Sequence, residues 1–129
     1  MYNKAILIGN VGKEPELKKV SDTSYCTFSL ATSESYKDKN GEWQTKTEWH
    51  NIVVWRNTAD YAAKNVKKGN QVFVEGKIRT RNYEDNAGKK VYVTEIVADT
   101  IKLLEKREKQ EQHAQESYSP AEESGDLPF

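Results

Sequence analysis

From Asn70 to Tyr83 the chain reads NQVFVEGKIRTRNY, with apolar and polar residues alternating along its whole length. A period of two matches the pleat of a half-buried strand, whose successive side chains point to opposite faces, and it fits no helix. The polar stretch EDNAGKK follows, and then a second extended run, KKVYVTEIVADTIKLL. Two such runs joined by a loop of this composition predict a β-hairpin. A chain built on long hairpins must bury one face of each strand, and that demand governs how the rest is read.

Three earlier segments extend the pattern. KAILIGNVG is a short apolar run ended by glycines, and KTEWHNIVVW is rich in aromatic and β-branched residues. Between them YCTFSLAT alternates, with Cys26, Phe28 and Leu30 on one face and Thr27 and Ser29 on the other. The polar KDKNGEWQ joins the second run to the third. In NTADYAAKNVKKG the period changes: Ala59, Ala62, Ala63 and Val66 stand at i, i+3, i+4 and i+7. This predicts one short helix, capped by Asn57 or Thr58, favoured by Lys67 and Lys68 at its C-terminal end and stopped by Gly69. Five strands with a helix between the third and fourth is the order of an OB-fold, a five-stranded Greek-key barrel.

At 129 residues and 36% hydrophobic content the chain has room for one modest core. Residues 1–104 form the expected domain. Beyond it, EKREKQEQHAQESYSPAEESGD is almost free of apolar side chains and cannot offset its ordering entropy. Residues 105–121 are therefore expected to be a disordered linker and residues 122–129 an acidic tip, ending DLPF. A net charge of zero hides the division: residues 1–104 carry 17 Lys/Arg against 13 Asp/Glu, net +4, and residues 105–129 carry 3 against 7, net −4. Such a split suggests a basic surface for a polyanion and an acidic interaction tail.

Parity also sorts the candidate functional residues. Trp49, Asn51, Val53 and Trp55 share one face of their strand, and His50, Ile52 and Val54 share the other. The aliphatic pair makes the better core, and Asn51 between two tryptophans suits an exposed face. On the fourth strand Val72, Val74, Gly76 and Ile78 form the small, apolar side, opposite Glu75, Lys77, Arg79, Arg81 and Tyr83. Three cations in successive outward positions also suit a solvated strand. Beside two tryptophans they suit a single strand of nucleic acid, whose phosphates need cations and whose splayed bases need flat aromatic surfaces. Tyr36 and Trp43 flank the KDKNGEWQ connection, where each serves either loop packing or ligand contact.

Other chemistry finds no support in the sequence. There is no HExxH, no CxxC and no phosphate-binding glycine loop, and His50 and His113 are far apart. A single cysteine, Cys26, excludes an intrachain disulfide and a multi-cysteine zinc site. No catalytic residue, metal ligand or cofactor is expected. No apolar run could span a bilayer, and MYNKAILIGNVGKEP lacks the apolar length and cleavage site of a signal peptide, so the expected location is the cytoplasm.

Four segments in order, NKAILIGNVGKEPEL, SLATSESYKDKNGEWQTKTEWHNIVVW, KKGNQVFVEGKIRTRNY and the terminal DLPF, resemble the bacterial-type single-stranded DNA-binding proteins. The resemblance implies an OB-fold that assembles as a homotetramer and binds single-stranded DNA without sequence preference or catalysis, in association with the bacterial nucleoid. It implies base-stacking roles for Tyr36, Trp49, Trp55 and Tyr83, and it matches Arg79 and Arg81 to the family's basic strand, to which parity adds Lys77. His50 resembles a residue at the family's subunit interface. Asp126, Leu127, Pro128 and Phe129 resemble the tip with which the family docks replication, recombination and repair proteins. Two readings stand beside this one: an RNA-binding OB module and an OB-fold protein–protein adaptor.

Overall fold

The alternating segments form strands that close into a barrel. A computed structural model describes residues 1–105. Its elements run β1 (Ala5–Val11), β2 (Glu16–Val20), β3 (Thr23–Lys37), β4 (Trp43–Trp55), α1 (Arg56–Asn65), β5 (Gln71–Glu84) and β6 (Lys90–Glu105). β6 ends one residue past the expected boundary at 104.

Pairing follows the order β1-β5-β6-β4-β3-β2, and a further β1–β3 contact closes the ring. All pairs are antiparallel except β4–β6, where Ile52, Val53 and Val54 run parallel to Ile96, Val97 and Ala98. The five expected runs correspond to β1, β3, β4, β5 and β6. The additional β2 extends β1 along the same strand: Val11 pairs with Leu30, and after an interruption at residues 12–15 Glu16 pairs with Thr27. The first strand of the OB-fold is thus broken in two, and Pro15, which has no N–H to donate, stands in the break.

The core follows the parity expected of it. Cys26, Leu30, Ile52, Val54, Val72 and Val74 are fully buried, and Phe28 is nearly so. The Cys26 thiol donates to the Ala59 carbonyl at 3.3 Å, and burial pushes its pKa up, with Asp60 adding to the effect. α1 adds Ala59 and Ala62 to the same core, and Val66, directly after the helix, joins them. Its start differs from the expected cap. Trp55, still extended, occupies the N-cap without a side-chain bond, and Arg56 turns out of β4 with φ 55°. Strand and helix abut, so neither Asn57 nor Thr58 stands where a cap is needed.

Both long hairpins turn by one device. Between β3 and β4, Asp38 N–H donates to the Glu42 carbonyl and Gly41 N–H donates to the Asp38 carbonyl. Between β5 and β6, Asp85, Gly88 and Lys89 repeat those two bonds. Each loop places three residues between paired ends and finishes on a glycine at positive φ, 81° at Gly41 and 79° at Gly88, where a side chain would be strained. Each aspartate Oδ1 also accepts two backbone N–H groups across its turn. These bonds, the Glu42 N–H foremost, hold the Asp38 carboxyl below its ordinary pKa.

Candidate nucleic-acid interface

β4 sets the aromatic part of the site. Trp49 is 59% exposed and Trp55 half-buried, whereas Ile52 and Val54 on the opposite parity are sealed. Trp55 packs on Tyr25 of the neighbouring β3, with ring centroids 5.1 Å apart and planes inclined by 31°. Trp49 lies over Gly12 at the break between β1 and β2. A Cβ there would overlap the indole, coming within 2.8 Å of its Cη2 and 3.0 Å of Ser29 Oγ. Asn51, exposed between the tryptophans, donates to the Thr94 carbonyl at 3.4 Å. Val53 departs from the expected exposure and is buried, on the floor of a groove of about 350 Å³ that crosses this face.

β5 supplies the cations. Lys77, Arg79, Arg81 and Tyr83 stand exposed in successive outward positions, opposite Val97, Glu95, Val93 and Val91 of β6. Glu95 changes the electrostatics and is absent from the sequence reading. It is only 2% exposed and accepts from both arginines: Arg79 through Nε at 3.1 Å and through a close Nη2 contact, Arg81 through Nε at 3.2 Å. The two guanidiniums and their shared carboxylate therefore carry one net positive charge, while Lys77 makes no ion pair among the described residues. The signal was present in VYVTEIVAD, where an acid interrupts an outward row of valines directly across from the basic strand. The groove is also charge-balanced, with Lys13, Lys18 and Arg81 facing Glu14, Glu16 and Glu95.

The remaining candidates lie elsewhere. Tyr83 is half-exposed at the end of β5, and Tyr36 is likewise half-exposed near the tip of the β3–β4 hairpin. Tyr36 stands on the His50 side of that ribbon, because Leu30 pairs with His50 and Tyr36 with Gln44, whereas Trp49 pairs with Ala31. His50 is half-buried opposite the tryptophan face, its Nε2 2.9 Å from Thr32 Oγ1. Asp126, Leu127, Pro128 and Phe129, the tip 122–129 and the linker after residue 105 lie outside the described residues. Among the described residues no cluster of His, Cys, Asp or Glu could hold a metal ion, and no helix is long and apolar enough to cross a membrane.

Residues 2–104 match the model of the single-strand binding protein family. The chain is 46% identical over 104 residues to single-stranded DNA-binding protein 1 of Chlorobaculum tepidum, covering 79% of this chain and 64% of that protein. It is 41% identical over 106 residues to single-stranded DNA-binding protein 2 of Listeria monocytogenes, covering 81% of this chain and 65% of that protein. Identity to the single-stranded DNA-binding protein of Neisseria meningitidis is 42% over 103 residues, 79% of this chain and 59% of the relative. The matched region thus spans under two thirds of each relative's length. Among solved structures, a Plasmodium falciparum SSB in complex with single-stranded DNA superposes with a TM-score of 0.75 at 38% identity, covering 81% of this chain and 97% of that one. A barrel of this topology, a family match over residues 2–104 and identities of 41% or more over at least 79% of the chain establish that the protein belongs to the single-strand binding protein family.

Proposed function

We propose that this protein binds single-stranded DNA without sequence preference, protects it during replication, recombination and repair, and recruits processing proteins through its C-terminal tip. The observation that carries the reading is the shared face on which two tryptophans with open surface lie beside a row of three cations. Stacking on Trp49, Trp55 and Tyr83 contributes roughly 1–3 kcal/mol per base whatever the base, because every base has a π-face. Lys77, Arg79 and Arg81 neutralise phosphates. Tyr36, across the hairpin ribbon, serves a strand that wraps around the hairpin. The role is binding without catalysis, and the site of action is the cytoplasm, on the nucleoid.

Assembly as a homotetramer finds support at β1. Its Ala5–Gly9 segment pairs with β5 on one edge and with no strand on the other among the described residues. Ile6 and Ile8 are 59% and 53% exposed there, a poor arrangement for a lone barrel and a good one for a second copy. His50 belongs to a subunit contact in this reading. At the tip, burying Phe129 in a partner pocket would contribute roughly 1.5–3 kcal/mol.

Tryptophan fluorescence during titration with oligo-dT, oligo-U and duplex of equal length, each at low and high salt, tests the reading. Quenching by the DNA single strand that persists when salt weakens the phosphate contribution supports it. Equal responses to single strand and duplex that vanish with salt would replace it with a basic adaptor surface, and a preference for oligo-U with an RNA-binding module.

A further inference from the structure

The proposed DNA face accounts for Trp49 and Trp55 but leaves the third tryptophan unexplained. Trp43 opens β4 directly after the turn at the tip of the hairpin and is 68% exposed. Lys37, its cross-strand partner, holds Nζ 5.5 Å from the centre of the indole ring. We infer that Trp43 and Lys37 form a distal single-stranded DNA subsite, with the indole stacking one base and the ammonium meeting an adjacent phosphate. The inference rests on the DNA-binding reading above and extends its footprint.

Register puts this pair on the right side of the ribbon. Trp43, Thr45, Thr47 and Trp49 share one side of β4, facing Lys37, Ser35, Ser33 and Ala31 of β3. Between the two indoles lie four small hydroxylated residues and no charge, with Ser33 Oγ and Thr47 Oγ1 3.1 Å apart. The other side, where Tyr36 stands, also carries Glu34, Lys46 and Glu48, whereas the track between the indoles carries no carboxylate. Six residues of strand separate the tryptophans by roughly 20 Å. At the 3.4 Å per nucleotide of a stacked strand that is at most about six nucleotides, within the roughly 4–16 that one OB-fold covers.

The tip is also pre-shaped. Asp38 accepts from the Asn40 and Glu42 N–H groups at 2.9 Å each and from Gln44 Nε2 at 3.0 Å, which braces the turn on both sides of Trp43. An aromatic ring held at a braced turn loses little freedom when a base stacks on it. A cation resting on the ring stands within reach of the phosphate next to that base.

The test compares wild type, Trp43→Ala, Trp43→Phe and Lys37→Ala with oligo-dT of about 5 and about 16 nucleotides, sizes that bracket one OB-fold. Trp43→Ala is expected to weaken the longer oligomer at least about fivefold and to leave the shorter one within about twofold. Trp43→Phe, which keeps a flat ring, is expected to restore most of the loss. Lys37→Ala is expected to flatten the dependence of log K on log salt by about 0.7, one phosphate's worth for a single strand. Binding of the longer oligomer by Trp43→Ala within about twofold of wild type would overturn the subsite. So would a change in the molecular mass of that variant by light scattering, since Trp43 would then be a subunit contact. If only Trp43 variants behave unexpectedly while the short oligomer still quenches the protein, the distal subsite alone falls. If wild type binds neither length, the function falls with it.

Discussion

Replacing Glu95 by Gln removes one negative charge from the middle of the proposed phosphate track and changes almost no volume. In the wild type that carboxylate is buried and bonded to both Arg79 and Arg81, so the triad carries one net positive charge. A phosphate resting on either guanidinium would lie about 6 Å from the carboxylate. Their repulsion is roughly 0.7 kcal/mol at bulk-water screening and roughly 2.8 kcal/mol at the effective dielectric of a protein surface. Glu95→Gln should therefore tighten oligo-dT binding by about 0.7–3 kcal/mol at low salt. It should also steepen the slope of log K against log salt by about 0.7, because a second phosphate becomes fully neutralised.

The same substitution should cost stability. Charge-assisted bonds contribute roughly 1.5–3 kcal/mol each and neutral ones roughly 0.5–1.5. Both arginines keep about half their side-chain surface in water and rehydrate readily, so the loss across two partners should be about 1–2 kcal/mol. Salt-dependent titration and urea unfolding read the two effects separately. Unchanged affinity and slope in a folded variant would show that Arg79 and Arg81 do not meet phosphate. Weaker binding with an unchanged slope would show that Glu95 matters by aiming the arginines, and the charge argument would be wrong.

Trp55→Ala should weaken oligo-dT binding by roughly 1–3 kcal/mol and leave a folded barrel; affinity equal to wild type would remove Trp55 from the interface. Gly12→Ala should move the exposed Trp49 ring by about 1 Å with under about 1 kcal/mol lost in unfolding, since a half-free side chain yields more easily than backbone. Its readout is reduced Trp49 quenching by oligo-dT at nearly unchanged Tm, and full quenching would mean that the ring's seat on Gly12 is irrelevant to stacking. Deleting residues 122–129 should leave DNA binding intact or slightly tighter and abolish capture of DNA-processing partners. A partner set that survives the deletion would refute the role of the tip.

Most of the barrel was legible because its strands bury one face. Alternation separated Ile52 and Val54 from Trp49 and Asn51, and Cys26, Phe28 and Leu30 from their neighbours, before any pairing was known. β2 escaped because all five of its residues are exposed, so Glu16–Val20 prints no period on the sequence. What makes it a strand is the ladder it forms with Thr23–Thr27, a tertiary fact. The helix cap departs from the expected one for a related reason. Composition favours Asn57 or Thr58, but the chain turns at Arg56 with no loop between strand and helix, and geometry overrides propensity there.

The limits at the site are of another kind. Parity states which residues share a side of one strand, and on that basis Trp49, Trp55, Lys77, Arg79, Arg81 and Tyr83 were placed outward. Parity alone does not fix the register across a hairpin, and so it does not say which residue stands across from each of them. Glu95 is fourteen residues from Arg81 and sixteen from Arg79, yet the β5–β6 register puts it beneath both. A row of three cations therefore presents less charge than its letters suggest. With Lys77 unpaired among the described residues and the arginine pair worth one charge, the outward row of β5 presents about two positive charges in place of three to the proposed ligand. Its share of the salt slope then falls from about 2.1 to about 1.4. The smaller the phosphate contribution, the more of the affinity must come from the aromatic surfaces, and the more the binding should survive salt.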